Sequence, residues 1–324
     1  MSKEHASAVD EMRISQLVDM QTPERVLDEV ETIVRSISPK FDFVPVQRVF
    51  NEVVGLFRGE YPGYCRCDTE YHNLQHTTDV LLAMARLLHG AVLRGGKYSQ
   101  KDITLGLIGA LFHDSGYIRT WDDHSGTGAK YTLVHIRRSI GLTDHYFSDA
   151  AIKQQGFSKK DSEECAHMLR CTGFSAKINE IPFETGTYEQ LGKMLGTADL
   201  LGQMADRAYL ERLLFLYYEF VEGQVRGFTS EFDLLRKTLG FYDIVHNRFS
   251  KELGRVNSYM LPHFADRWGV DRDLYADAIE KNRDYLKYLL THHQKEYRAY
   301  LKRSGVIEKL DAAQNAKPPP AQNQ

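Results

Sequence analysis

The chain has 324 residues, 42% hydrophobic and 26% charged, a balance that lets a globular protein bury a sizeable core. A formal net charge of −3 gives no basic concentration of the kind that holds a polyanion, so DNA is not an expected partner. Residues 1–20 carry Lys3, Glu4, Asp10, Glu11, Arg13 and Asp19 with no leader-like apolar stretch, and the apolar runs at 81–88 and 103–112 are too short to cross a bilayer. The chain therefore reads as cytoplasmic, with no membrane partner and an oligomeric state that its composition leaves open.

Helical periodicity dominates. Thr22-Pro23-Glu24 resembles a cap followed by proline at the first helical position, opening an amphipathic helix through Val26, Leu27, Val30, Ile33 and Val34 that Pro39 ends. Residues 45–57 repeat the pattern until Gly59, Pro62 and Gly63 break it. The segment 74–93 is apolar almost throughout and stops at Gly95-Gly96. Ser99 with Asp102 forms a capping-box pattern before Ile103, Leu105, Leu107, Ile108, Leu111 and Phe112. That helix is apolar nearly all round, which predicts a central, buried position, and it ends at His113-Asp114.

The polar stretch 118–129, with Gly126 and Gly128, reads as a loop. Further helices are expected at 131–140, 161–170, 188–222, 231–259 and 274–301. No internal repeat is present, and 312–324 has the proline, glutamine and asparagine content of a disordered tail. These patterns predict an all-α fold, with residues 21–311 as one helical domain and 1–20 as a preceding segment for which disorder is one reading. Cys65, Cys67, Cys165 and Cys171 show no CxxC spacing and read as free thiols; a lone Cys65-x-Cys67 is weak evidence for zinc.

Three places carry chemistry. In Tyr71-His72-Asn73-Leu74-Gln75-His76 a helix would set His72 and His76 one turn apart, with both imidazoles facing one cavity; two surface histidines are the plainer alternative. His113-Asp114 ends an apolar helix, where an imidazole and a carboxylate lose much solvation unless they pair or bind a metal. Asp199 lies among small and apolar residues in Leu195-Gly196-Thr197-Ala198-Asp199-Leu200-Leu201, and alone reads as a buried, hydrogen-bonded aspartate. Together His76, His113, Asp114 and Asp199 make a two-histidine, two-carboxylate set suited to Mg, Mn, Fe or Zn.

The order His-Asn-x-x-His, His-Asp and a lone Asp resembles the HD-domain metal-dependent phosphohydrolases, and the run 71–80 is similar to the signature of the cyclic nucleotide phosphodiesterases. The resemblance implies an all-helical HD-domain-like bundle with a metal site in its core, holding one or two divalent ions. It places His76, His113, Asp114 and Asp199 on the metal, Asp114 bridging to any second ion, and His72 as the acid that protonates the leaving oxygen. The chain departs from the cyclic nucleotide enzymes where His-Asp-x-x-His-Pro-Gly is usual: here Tyr117 follows His113-Asp114-Ser115-Gly116. His135 resembles a ligand of a second site in other HD-domain enzymes, with His124 as the fallback.

The purine-clamping glutamine of the cyclic nucleotide enzymes has no clear counterpart, since Gln203 stands only four residues beyond Asp199. Arg137 or Arg138 could meet a phosphate, although two arginines on a solvated helix face is the commoner meaning. Glu219 reaches the site only if the helix after Asp199 runs along it. The expected function is metal-dependent hydrolysis of a phosphoester in a small phosphorylated substrate such as a nucleotide. A nucleoside phosphate or alarmone hydrolase, and a metal-binding sensor without activity, are the alternatives.

Overall fold

Sixteen consecutive residues of one helix, from His76 to Ala91, are buried, and the rest of the molecule is arranged around them. In this computed structural model, residues 12–315 are described; residues 1–11 and 316–324, with half of the expected N-terminal segment and most of the expected tail, lie outside them. The described residues form thirteen α-helices with short 3-10 turns and no strand, an all-helical bundle. An isolated bridge pairs Tyr64 with Thr120. No helix among the described residues is long and apolar enough to cross a membrane.

The buried helix, α3 (Leu74–Leu93), packs against α1 (Pro23–Ile37), α4 (Gln100–Phe112), α8 (Gly186–Met204) and α11 (Met260–Trp268). Between them come α2 (Val44–Arg58), α5 (His135–Ser148), α6 (Ala150–Gln154), α7 (Lys159–Arg170), α9 (Tyr209–Glu222) and α10 (Glu231–Lys251), and the chain closes with α12 (Leu274–His292) and α13 (Val306–Asn315). One apolar core surrounds α3 and α4, and a second joins α9, α10, α12 and α13. As expected from its unbroken apolar surface, α4 buries every residue from Ile103 to Phe112. Its Ser99–Asp102 capping box is formed, the Asp102 carboxylate accepting from Ser99 N at 2.8 Å. Thr22 does stand at the N-cap of α1, but its hydroxyl donates to Asp19 rather than closing the helix.

Several expected boundaries are corrected. The span 188–222 is two helices, broken at 205–208, where Asp206 accepts from Ala208 N and from Arg212 at 2.9 Å each. The carbonyls of Met204 and Asp206 at this break are satisfied by the Asn282 side chain, 78 and 76 residues away, so no local glycine or proline announces it. The span 231–259 ends as a helix at Lys251, and Gly254 and Arg255 follow in the left-handed region. The span 274–301 stops at His292, while α5 starts at His135 and runs beyond 140. Helix α11 was not expected; its Pro262 falls in the first turn, where no backbone donor is required. Helix α13 covers the first residues of the segment read as a tail.

Candidate metal centre

The site is assembled where the start of α3, the end of α4, the start of α5 and the middle of α8 meet. Asn73, not His72, begins α3: its side chain accepts from His76 N at 3.2 Å, which makes it the N-cap. His72 therefore lies outside the helix, a correction to the one-turn spacing expected for it. It still faces His76, with ring centroids 6.2 Å apart, because its own segment is held elsewhere. Glu219 accepts from Tyr71 N at 2.7 Å and meets His72 Nδ1 at 2.6 Å, and Arg212 donates to the Tyr71 carbonyl at 3.0 Å.

His113 caps the end of α4, and Asp114 leads into a 3-10 turn, Ser115–Tyr117. The turn is pinned to α5: the Ser139 hydroxyl donates to His113 O at 2.7 Å and accepts from Gly116 N at 2.9 Å. Glycine is required at 116, since a Cβ there would lie 2.0 Å from the carbonyl oxygen of His135. This close approach brings His135 to the cluster.

Ligand atoms of His76, His113 and Asp114, all three buried, lie within 4.8 Å of one another. The two Nε2 atoms are 3.2 Å apart, and Asp114 Oδ2 is 3.4 Å from His76 and 3.3 Å from His113. Asp199 Oδ1 joins them from α8, 3.1 Å from His76 Nε2 and 3.9 Å from His113 Nε2. On the far side of Asp114, its Oδ1 lies 3.7 Å from His135 Nε2. His124 is exposed in the loop and takes no part.

The imidazole tautomers follow from their outer partners. A carbonyl oxygen only accepts, so His113 Nδ1, 2.8 Å from Ala110 O, carries a proton, and so does His135 Nδ1, 2.7 Å from Thr132 O. Each turns Nε2 toward Asp114. In their neutral form these rings turn the Nε2 lone pair toward the cluster, the arrangement that outer hydrogen bonds impose on metal-binding histidines.

Two residues gain roles beyond those expected of them. Tyr117, buried, stacks between His72 (4.3 Å, 10° between planes) and His135 (4.7 Å, 21°), with its hydroxyl 3.5 Å from His72 Nε2. Glu219 does reach the site, because the break after α8 folds α9 back along it. Its carboxylate fixes the proton on His72 Nδ1. No spacing rule links residues 147 positions apart, so only the turn at 205–208 could have revealed it.

Burial opposes charge on the His72 ring, but Glu219 outweighs it and its pKa is raised. For His113 burial likewise pulls down, yet Asp114 above all lifts it to about 9. Burial lowers His76 and His135. Asp114 is driven well below its usual range: burial resists, and His113 leads the groups that overcome it. Asp199 is lowered too, by His76 first, again against its burial.

Of the nearby cations, all but Arg137 are engaged by protein groups. Arg138 donates through Nε and Nη2 to Gly116 O and Ile118 O at 2.7 Å each and lies over the Tyr131 ring, while Arg137 is exposed. Arg119 pairs with Asp68, and Lys130 with Asp123. The four cysteines are free; Cys67 turns its Sγ toward Thr69 and the carbonyl of His72.

Fold and cluster together define an all-helical protein with a buried histidine and aspartate group able to hold a metal ion. Residues 62–257, more than half of the chain and including every cluster residue, match the Npun_R2479-like family, and the chain belongs to that family. No curated protein matches the sequence.

Proposed function

We propose that the protein is a metal-dependent phosphohydrolase that cleaves a phosphoester bond of a small substrate. The supporting test of fit is Asp114 Oδ2, a buried carboxylate oxygen that accepts no hydrogen bond although two imidazole nitrogens face it. A buried anion balanced only by neighbouring imidazoles is costly, and a cation between these groups would lower that cost. The donor set of His76, His113, Asp114 and Asp199 suits a divalent Mg, Mn, Fe or Zn ion, with His135 and the outer oxygen of Asp114 offered to a second. Such an ion supplies Lewis acidity: it offsets phosphoryl charge and makes water a better nucleophile near neutral pH.

His72 does the rest. With Nδ1–H held by Glu219, its only free position is Nε2, and the raised pKa favours a proton there that can be given to the departing oxygen. Tyr117 and Glu219 fix the ring from its face and its edge. The observation that carries the reading is this pairing: an acid clamped by a carboxylate beside a cation-binding cluster has no use in a module that only binds. The resemblance of the motif order to HD-domain phosphohydrolases supports the same conclusion. Because Arg119 and Lys130 are already paired, the metal is to be the main grip on substrate phosphate, with the exposed Arg137 the cation still open to it.

The test is hydrolysis of bis-p-nitrophenyl phosphate, cyclic nucleotides and nucleoside triphosphates by protein loaded in turn with Mg, Mn, Fe and Zn. Turnover that vanishes with chelator and in His113→Ala is expected. Metal-loaded protein inert toward every phosphoester would leave a binding module instead.

A further inference from the structure

Gln203 stands one turn after Asp199 on the same face of α8, and both ends of its amide are engaged. A carboxylate only accepts, so the group facing Asp199 Oδ1 at 2.9 Å must be the Nε2 amine. That leaves Oε1 toward Tyr71, whose hydroxyl donates to it at 2.9 Å. Tyr71 is itself a fixed post. It is buried, its N–H is held by Glu219 at 2.7 Å, and its carbonyl by Arg212 at 3.0 Å. The placement of its hydroxyl is therefore set independently of Gln203.

We propose that Tyr71 and Gln203 form a relay that orients Asp199 as a metal ligand, making Gln203 a positioning residue of the metal centre and not a contact for substrate. The inference rests on the metal reading above and sharpens it. Asp199 is the least buried of the two carboxylates at the cluster, with 14% of its side chain exposed against 5% for Asp114, and it sits in mid-helix without a backbone donor to hold it. Left free, a carboxylate swings about its side-chain bonds, and ordering it falls on the ion. Gln203 orders it beforehand. Through Glu219, the same Tyr71 also indexes His72, so the acid and the ligand are referred to one residue.

The experiment is titration of chelator-stripped protein with Mn²⁺ and Zn²⁺, followed by calorimetry, on wild type, Tyr71→Phe, Gln203→Met and the double variant. Loss of an outer hydrogen bond to a ligand weakens metal binding by about 10- to 100-fold, the loss expected for Gln203→Met. Tyr71→Phe should lose a few-fold, and nothing more when added to Gln203→Met, because the hydroxyl acts only through the amide. A role confined to packing would instead lower stability to urea while leaving metal affinity at the wild-type value. Wild-type affinity in Gln203→Met, or a full Tyr71→Phe effect in its background, overturns the relay. Should Gln203→Met fail to fold, Tyr71→Phe alone decides, since unchanged affinity after removal of its hydroxyl has the same meaning. A wild type that takes up neither ion defeats the metal reading itself, and the relay with it.

Discussion

Helix α3 contributes one histidine to a buried pair near each of its ends, and the two pairs are alike in spacing, although the first meets Nε2 to Nε2 and the second Nδ1 to Nδ1. His76 and His113 meet at 3.2 Å with ring centroids 5.1 Å apart; His89 and His263 meet at 3.1 Å with centroids also 5.1 Å apart. Their surroundings have opposite sign. Asp114 and Asp199 close on the first pair, whereas the carboxylate near the second is Asp266, 57% exposed and 3.6 Å from His89. The fully buried charge beside His263 is Arg86, which donates one bond to Tyr275 and leaves two nitrogens without a partner. Accordingly His113 rises to about 9 against its burial, while burial, with Arg86 next, drives His263 to about 2. Paired imidazoles do not make a metal site; the buried charge around them decides whether a cation is drawn in.

The comparison breaks most sharply under alanine substitution. His113→Ala or Asp114→Ala should strip the metal to background and abolish activity in a protein whose helical circular dichroism is unchanged, whereas His89→Ala should retain wild-type metal content. Metal analysis of the purified variants checks this, and equal losses at both ends would erase the distinction. Next in size is His72→Ala. It should lose on the order of 10²- to 10⁴-fold with an alkyl or ribose leaving group and far less with a p-nitrophenyl ester, which departs without protonation. Its metal content should stay near wild type, and Glu219→Gln should show a smaller version of the same selectivity. Equal losses on both substrates would make His72 structural.

Legibility in the sequence differed between the two ends for the same reason. His76, His113, Asp114 and Asp199 could be singled out because their carboxylates interrupt apolar segments and their order resembles a known family, and the structure brings all four together. His89 lies in the same helix as His76, but no carboxylate adjoins it in the chain and its partner His263 sits on α11, a helix the sequence did not lead us to expect. The all-helical fold was legible from periodicity throughout. The break at 205–208 was not, because its stabilising partner Asn282 is remote, and with it went the path by which Glu219 returns to His72. Tyr117 was seen only as a missing imidazole; that its ring fills the space between His72 and His135 depends on the approach at Gly116.

A finer test lies within the first region. His135 faces the outer oxygen of Asp114 and is less enclosed than His113, with 19% of its side chain exposed against 1%. A second ion held there would have fewer protein ligands, keep more water and exchange faster. Metal titration of stripped wild type should show a tight and a weaker site, and His135→Ala should lose only the weaker one, leaving the tight affinity within a few-fold. One site in both proteins would confine the centre to a single ion.

The smallest expected effect concerns stability at the other end. His263 has a folded-state pKa of about 2, below its ordinary value of 6.5, so in that window the unfolded chain holds a proton that the folded chain refuses. Its contribution to stability is present above pH 6.5 and is lost as pH falls toward 2; His89, lowered by burial, acts in the same direction. His113 has the opposite sign in metal-free protein, stabilising at low pH and losing that contribution as pH rises from 6.5 through about 9. Urea unfolding of chelated protein between pH 5 and 6.5, above the range where most carboxylates titrate, isolates the histidines. There His263→Gln should flatten the dependence of stability on pH by up to about 1.4 kcal/mol per pH unit, the value for one proton. His113→Gln should leave the slope nearly unchanged at the acidic end of that range, where a raised group is protonated in both states, and shift it in the opposite sense only as pH approaches 6.5. A slope unaffected by His263→Gln would mean that water or movement of α11 relieves the buried pair, and the contrast in charge between the two ends would then have no energetic consequence.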